Sequence, residues 1–391
     1  MTGVGVVGAG AMGSGIAQVA AAHGHAVVLS DAQASAVARA RANITAALDK
    51  LVEKGKLDRA TRDETLGNIT FEEKPPGADY SRFRDCALVI EAVVEDLGVK
   101  KTLFTALDSV VAPEAILASN TSSLSIASIA SACTYPERVI GIHFFNPAPV
   151  LPLVEIVPWL GTSPAVTEAA RRTIDTWRKT TVLAADTPGF IVNRVARPYY
   201  GESLRIHDEG IADFATIDWA MKEFGGFKMG PFELMDFIGN DVNFAVTNSM
   251  FESCFWEPRY KPSLTQKRLA EAGFLGRKTG RGYYRYDAGA TAPEPTKDAQ
   301  LGTLIFERVL TMLINEAADA VLYRVASAKD IDLAMTKGVN YPKGLLAWSD
   351  ELGPTWAFDR LVRLQEEYGE DRYRQSPMLR WVARENGRFH Q

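Results

Sequence analysis

Val4-Gly-Val-Val-Gly8-Ala-Gly10-Ala-Met12-Gly13, continued by Ser14-Gly-Ile-Ala-Gln-Val-Ala-Ala-Ala-His23 and closed by Ala26-Val-Val-Leu-Ser-Asp31, decides the fold of this chain. The first run is a short apolar strand, the second has a helical pattern, and the third is another strand ending on an acid. A lone GxGxxG is weak, but strand, glycine loop, Ala-rich helix, strand and acid in this order specify a dinucleotide site. Each part has a mechanical reason. Gly8 permits the tight turn, Gly10 lets the backbone approach a pyrophosphate, and Gly13 allows helix and strand to pack closely. The helix then directs its free N–H groups and positive dipole end at the phosphates. Asp31 is placed to accept hydrogen bonds from the adenosine ribose hydroxyls. A 2′-phosphate would meet its charge, and Ala32-Gln-Ala34 offers no arginine in compensation. NAD is therefore expected over NADP.

Further strand patterns follow at Ala87–Glu91, Ile116–Ser119, Val139–Ile142 and Leu153–Val157, with helical patterns such as Val99–Val110 between them. Alternation of this kind implies a mainly parallel, doubly wound sheet with helices on both faces. Its ligands bind beyond the carboxyl ends of strands, which is where Glu95, Ser119-Asn-Thr-Ser-Ser123 and His143-Phe-Phe-Asn146 fall. Between His143 and Glu155, twelve residues on, lies a Pro-rich segment that reads as a connection between two buried strands. If those strands lie side by side, the carboxylate meets the imidazole, fixes its tautomer and raises its basicity, as a general base requires. A structural histidine at a strand end is the competing reading of this pair. His23 and His25 flank a turn glycine, and His207 and His390 lie in polar surroundings, so His143 alone has a catalytic setting.

The chain has 391 residues, too many for one core. Its net charge of −5 argues against general nucleic-acid binding. The three cysteines, Cys86, Cys133 and Cys254, form neither a metal motif nor a disulfide framework, and read as buried thiols of a reducing compartment. No run of ~18 apolar residues offers a membrane span, and the chain enters a strand too early for a signal peptide. A cytoplasmic protein is expected.

From Gly189 the pattern turns helical and repeats. Arg194, Glu202, Asp218, Met221, Gly230, Asp236 and Gly239 recur as Arg308, Glu316, Asp332, Met335, Gly344, Asp350 and Gly353, always 114 residues later. Residues 186–286 and 300–391 are thus expected to be two copies of one helical module, after a dinucleotide domain over 1–185. Asp287–Asp298 is the linker by composition. Asn193 aligns with Glu307, so the copies differ there.

The glycine loop with Asp31, Ser119-Asn-Thr-Ser-Ser123, His143-Phe-Phe-Asn-Pro147, Asp186-Thr-Pro-Gly-Phe-Ile-Val-Asn-Arg194 and Gly276-Arg-Lys-Thr-Gly-Arg-Gly-Tyr-Tyr284 together resemble the 3-hydroxyacyl-CoA dehydrogenases. The resemblance spans essentially the whole chain. It implies a Rossmann-type domain followed by helical modules like those of 6-phosphogluconate dehydrogenase. The implied activity is reversible NAD-dependent oxidation of an (S)-3-hydroxyacyl-CoA to the 3-ketoacyl-CoA. By the same resemblance His143 is the general base, Glu155 orients it, and Ser122 and Asn193 bind the reacting oxygen. Gly8, Gly10, Met12, Gly13, Asp31, Glu95, Lys100, Asn120, Asn146 and Lys278 resemble cofactor contacts. Lys50, Lys54 and Lys56 correspond to a region that touches the adenosine-phosphate part of CoA, although a solvated, mixed-charge helix face explains them equally.

Gly338-Val-Asn-Tyr-Pro342 and the tail through Tyr373 look most like bacterial two-module members acting on 3-hydroxybutyryl-CoA or 3-hydroxyadipyl-CoA. The second module, lacking the asparagine, is expected to stand in for the dimer partner of single-module relatives, giving a monomer, with a homodimer as the alternative. Arg197, Arg205 and Lys228 are cations that a second substrate carboxylate would suit, with solvated surface as the expected fate of each. Two other readings stand beside this one: a dehydrogenase of a free hydroxy acid on the same scaffold, or a non-catalytic NAD-binding structural protein.

Overall fold

The computed structural model describes residues 3–73 and 79–390. Met1 and Thr2 of the expected first domain and Gln391 of the expected last one lie outside the described residues. The chain divides into two compact units between Thr187 and Pro188, two residues beyond the expected boundary. Asp186 belongs with the first unit because its carboxylate accepts the N–H groups of Ile126 and Ala127, both at 2.9 Å.

The first unit runs β1 (Gly3–Val7), α1 (Ala11–Ala22), β2 (Val27–Asp31), α2 (Ala34–Glu53), α3 (Arg59–Gly67), β3 (Ile69–Glu73), β4 (Cys86–Glu91), α4 (Leu97–Asp108), β5 (Ile116–Ser119), α5 (Ile126–Ala130), β6 (Val139–Phe144), β7 (Leu153–Val157), α6 (Pro164–Thr176) and β8 (Thr180–Leu183). The eight strands form one sheet in the order β3-β2-β1-β4-β5-β6-β7-β8. All neighbours are parallel except β6 and β7. The central strands are continuous apolar runs because both faces are covered, as a helix-flanked parallel sheet demands; β5, β6 and β7 are buried at every position. The helices follow from spacing. On α2, Ala36, Ala40, Ile44 and Leu48 recur every fourth residue, and these are its buried positions.

β3 and β8 carry no clear sequence signal. They are the two edges of the sheet and only partly buried, so neither needs the long apolar run that marks a central strand.

The second unit comprises α7 (Val192–Val195), α8 (Arg197–Asp208), α9 (Phe214–Gly225), α10 (Pro231–Ile238), α11 (Asn240–Ser253), α12 (Leu264–Glu271), α13 (Ala299–Leu322), α14 (Ala328–Gly338), α15 (Leu345–Leu352), α16 (Trp356–Tyr368) and α17 (Pro377–Glu385). The buried α13 packs against α8, α9 and α14 to α17. Helices α9 and α10 recur as α14 and α15 with the 114-residue offset. In both copies a buried aspartate caps the next helix. Asp218 accepts from the backbone of Phe232 and Glu233, and Asp332 from that of Leu346 and Ala347, all at 2.9 Å. The glycines before these helices are required by the same contact. A Cβ on Gly230 would lie 2.3 Å from Asp218 Oδ1, and one on Gly344 2.3 Å from Asp332 Cγ.

The two copies are cross-linked reciprocally. Arg308 of the second donates to Glu202 of the first at 2.6 Å, and Arg194 of the first meets Glu316 of the second at 3.4 Å. Tyr373 and Tyr260 donate their hydroxyls to the same two glutamates, Glu202 and Glu316 respectively. An i-to-j contact repeated as j-to-i is the pattern of a two-fold interface, here contained in one chain.

Several charged and ring side chains differ from expectation. Arg197 is buried, not solvated, and Arg205 is engaged by Glu209 and Glu370; Lys228 is exposed as expected. His207 packs on the rings of Phe214 and Phe232. His25 accepts from Trp177 Nε1 at 2.9 Å. His390 does have an acid partner, Asp332, at 2.7 Å. It occupies the place that Tyr284 takes against Asp218 in the first copy, a tertiary match that its neighbours in sequence do not announce.

Candidate active site

The glycine loop joins β1 to α1 and opens a cleft of about 1280 Å³ lined by Gly8, Gly10, Ser14, Asp31 and residues of α2 and α4. Gly8 has φ +105°, and a Cβ there would lie 2.4 Å from the carbonyl oxygen of Ala92. At Gly13 a Cβ would sit 1.7 Å from the Gly8 carbonyl oxygen, so helix and loop can meet only without one. A Cβ on Gly10 would meet nothing within 4 Å. That open space lies at the N-cap of α1, where no side chain caps the helix, leaving the backbone donors for an anion. Met12 packs inward against the core behind the loop.

Asp31, at the end of β2, accepts from Ala9 N at 2.7 Å and from Gln33 N at 2.9 Å. The carboxylate thus also pins the glycine loop. These features fit a dinucleotide with unphosphorylated adenosine ribose. Arg39 of α2 lines the same cleft. It escaped the sequence reading because it lies two helical turns beyond the acid and carries no motif.

Past the strand ends, Glu95 organises the serine-rich loop. Its Oε1 accepts from Thr121 Oγ1 at 2.6 Å, Ser122 N at 3.0 Å and Ser123 Oγ at 3.1 Å. Lys100 reads from sequence as a cofactor contact. Here it is 1% exposed, with its ammonium 2.6 Å from Glu91 and 3.2 Å from Glu95. It therefore bears on the cleft through Glu95. Burial raises the Glu95 carboxyl, but Lys100 and the bonds from Thr121 and Ser122 outweigh this and hold it below the usual carboxylate range. With the folded value lowered, the clamp is intact at neutral pH and is lost only as pH falls through that value. Glu91, not singled out in the sequence, also accepts from Ser119 Oγ at 2.6 Å; its only signal was an acid closing an apolar run. Asn120 uses its Oδ1 to accept from Phe144 N at 2.8 Å, bracing the end of β6. Asn146 is exposed two residues further on.

His143 and Glu155 face each other across the antiparallel β6–β7 pair. Nδ1 lies 2.7 Å from Glu155 Oε2, with the two side chains 8% and 1% exposed. Phe145 packs on the imidazole, with ring centroids 4.6 Å apart. Directly opposed positions bring Cβ atoms within about 5.5 Å, so the turn length and register alone deliver the pair. With Nδ1–H donated to the carboxylate, the neutral imidazole carries its basic lone pair on Nε2.

In the second unit Asn193 is half-buried, and its side-chain amide makes no hydrogen bond among the described residues. Lys278 binds Asp241 through both carboxylate oxygens, at 2.6 and 2.7 Å. Lys50, Lys54 and Lys56 stand exposed at the end of α2 and in the turn after it, unpaired among the described residues.

The model of the 3-hydroxyacyl-CoA dehydrogenase NAD-binding domain matches residues 3–187, and that of the C-terminal domain matches residues 189–286 and 304–390. A 3-hydroxyadipyl-CoA dehydrogenase of Escherichia coli K12 is 39% identical over 97% of both chains. A 3-hydroxybutyryl-CoA dehydrogenase of Mycobacterium tuberculosis is 42% identical over 72% of this chain and 98% of its own. Among solved structures, one described as 3-hydroxybutyryl-CoA dehydrogenase from Escherichia coli K12 superposes with a TM-score of 0.92, at 38% identity and 98% coverage of each chain.

Proposed function

From the premise that the chain belongs to the 3-hydroxyacyl-CoA dehydrogenase family, we propose that it oxidises a short-chain (S)-3-hydroxyacyl-CoA of the 3-hydroxybutyryl or 3-hydroxyadipyl type. The observation that carries this reading is the buried His143–Glu155 pair at the carboxyl end of β6. His143 Nε2 accepts the proton of the 3-hydroxyl as that carbon becomes a carbonyl. Glu155 fixes the tautomer beforehand and stabilises the imidazolium afterwards, so the base is strengthened without being charged in advance. NAD, held by Gly8, Gly10, Gly13 and Asp31, supplies the hydride acceptor.

Ser122 and Asn193 bind the reacting oxygen and fix the substrate. The Glu95–Lys100 clamp sets the backbone position of Ser122. Glu95, Asn146 and Lys278 serve the nicotinamide half, Lys100 acts there through Glu95, and Asn120 is a further cofactor contact. Lys50, Lys54 and Lys56, without partners among the described residues, suit the phosphates of CoA.

Turnover of acetoacetyl-CoA with NADH should exceed that of free acetoacetate by on the order of 10²-fold in kcat/KM, since binding energy from the CoA portion contributes to the transition state. Equal rates with the free acid would shift the reading to a hydroxy-acid dehydrogenase. No NADH oxidation with either compound would favour a non-catalytic protein. The reciprocal Arg–Glu pairing between the helical copies supports a monomer in which the second copy replaces a dimer partner. The domains proposed are a dinucleotide domain over residues 1–185 and helical copies over 186–286 and 300–391, with Asp186 and Thr187 grouping with the first. Free thiols raised by burial, to about 11 at Cys86 and about 12 at Cys133, suit a cytoplasmic setting. Among the described residues no helix is long and apolar enough to cross a membrane.

A further inference from the structure

Arg197 opens α8, one helical turn after Asn193, and it is 6% exposed. Its Nε donates to the Asn193 carbonyl oxygen at 2.9 Å and its Nη1 to Thr247 Oγ1 at 3.2 Å. The guanidinium carbon stands 4.8 Å from the centre of the Tyr200 ring. No carboxylate pairs with it among the described residues, which sets it apart from other arginines of the unit: Arg194, Arg205, Arg259 and Arg308 each have one or two. Burial pulls its pKa down, and the phenols of Tyr200 and Tyr341 beside it, themselves raised by burial, bring no counter-charge at neutral pH. A guanidinium stays protonated even so. A buried cation without an anion is costly, and a chain that keeps one has a use for the charge.

The surroundings repeat the pattern. Thr247 Oγ1 also accepts from Gln266 Nε2 at 3.3 Å, and Gln266 Oε1 is buried with no partner among the described residues. The Tyr341 hydroxyl is likewise buried without one. The cluster therefore holds a surplus positive charge and unspent polar groups, in a place where a purely aliphatic acyl tail would want none.

We propose that Arg197 binds the free carboxylate at the far end of the acyl chain, making this enzyme a dehydrogenase of dicarboxylic 3-hydroxyacyl-CoA thioesters. The inference rests on the proposed dehydrogenase activity, and on Asn193 meeting the oxygen at carbon 3. Asn193 lies on α7 and Arg197 opens α8, and the bond from Arg197 Nε to the Asn193 carbonyl oxygen at 2.9 Å holds the guanidinium beside that residue. Carbon 3 and carbon 6 of an extended chain are separated by roughly 4 Å at C–C lengths of about 1.5 Å, and the carboxylate oxygens reach further. A six-carbon dicarboxylic acyl group thus spans from Asn193 to Arg197, whereas a butyryl chain ends short of it.

The test compares two thioesters of equal length, 3-hydroxyadipyl-CoA and 3-hydroxyhexanoyl-CoA, which differ only in the terminal carboxylate. The parent protein should prefer the adipyl compound in kcat/KM by about 10–100-fold, the range of one charge-assisted contact. In Arg197→Gln that ratio should collapse toward one, and Arg197→Lys should restore part of it. A parent protein that prefers the hexanoyl thioester overturns the proposal. So does an Arg197→Gln protein that is folded and keeps the parent's ratio, since the guanidinium would then be structural. Should Arg197→Gln fail to fold, the parent ratio and the Arg197→Lys ratio still decide. Failure of the dehydrogenase reading looks different, because neither thioester would then be oxidised.

Discussion

Exchange of His143 for glutamine is expected to lower kcat by about 10²–10⁴-fold, the range a positioned general base supplies, while NADH affinity stays near that of the parent protein. Glutamine keeps a polar group of similar reach on β6, so the β6–β7 pairing survives; what it cannot do is take a proton. The affinity control separates chemistry from folding, because the nucleotide cleft is built from the glycine loop, α2 and α4 and does not draw on His143. Glu155→Gln gives a smaller loss of the same kind, since its amide can still bond Nδ1 but no longer stabilises an imidazolium. Stopped-flow or steady-state rates with acetoacetyl-CoA, beside an NADH fluorescence titration, check both. A His143→Gln protein that retains most of its activity removes the imidazole from the mechanism.

The largest stability effect is expected at Glu316. This carboxylate is 1% exposed and receives Arg194 at 3.4 Å, Arg259 at 3.3 Å and the Tyr260 hydroxyl. Truncation to alanine leaves Arg194 without its carboxylate and takes one of two from Arg259, and breaking a buried pair costs about 3–5 kcal/mol. The lower end applies, because Arg259 keeps Asp319. Glu202→Ala should cost a similar amount, since it disrupts the mirror-related pairing with Arg308 and Tyr373, and Arg308 keeps Glu209. Urea unfolding read through the midpoint, with the slope unchanged, provides the measurement. Losses below about 0.5 kcal/mol at both positions, the size of ordinary surface effects, would show that the reciprocal pairs contribute nothing to the helical unit.

Much of the site was legible because its parts are local. The glycine loop and Asp31 lie within a single strand–helix–strand stretch, and His143 and Glu155 sit at the facing ends of one connection. Short spacings of this kind dictate geometry by themselves. The bends of β3 and β8 into the sheet edges were not legible, for edge strands need too little apolar sequence to be distinguished from loops. Lys100 illustrates a different limit. Its place in the motif marks it as important, yet only the fold shows that its charge is spent on Glu91 and Glu95.

Sequence alone determined the dinucleotide fold, the order of the central strands' residues, the acid–imidazole pair and the duplication of the helical module, since each is written in periodicity or spacing along one stretch of chain. Only the tertiary structure decided which distant charges meet: that Arg194 and Arg308 cross-pair with the other copy's glutamates, that His390 finds Asp332, and that Arg197 lies buried with no carboxylate partner among the described residues. The reason is physical. A residue's face on its helix follows from its neighbours, but its partner depends on which faces pack together, and that is settled by burial of the whole unit.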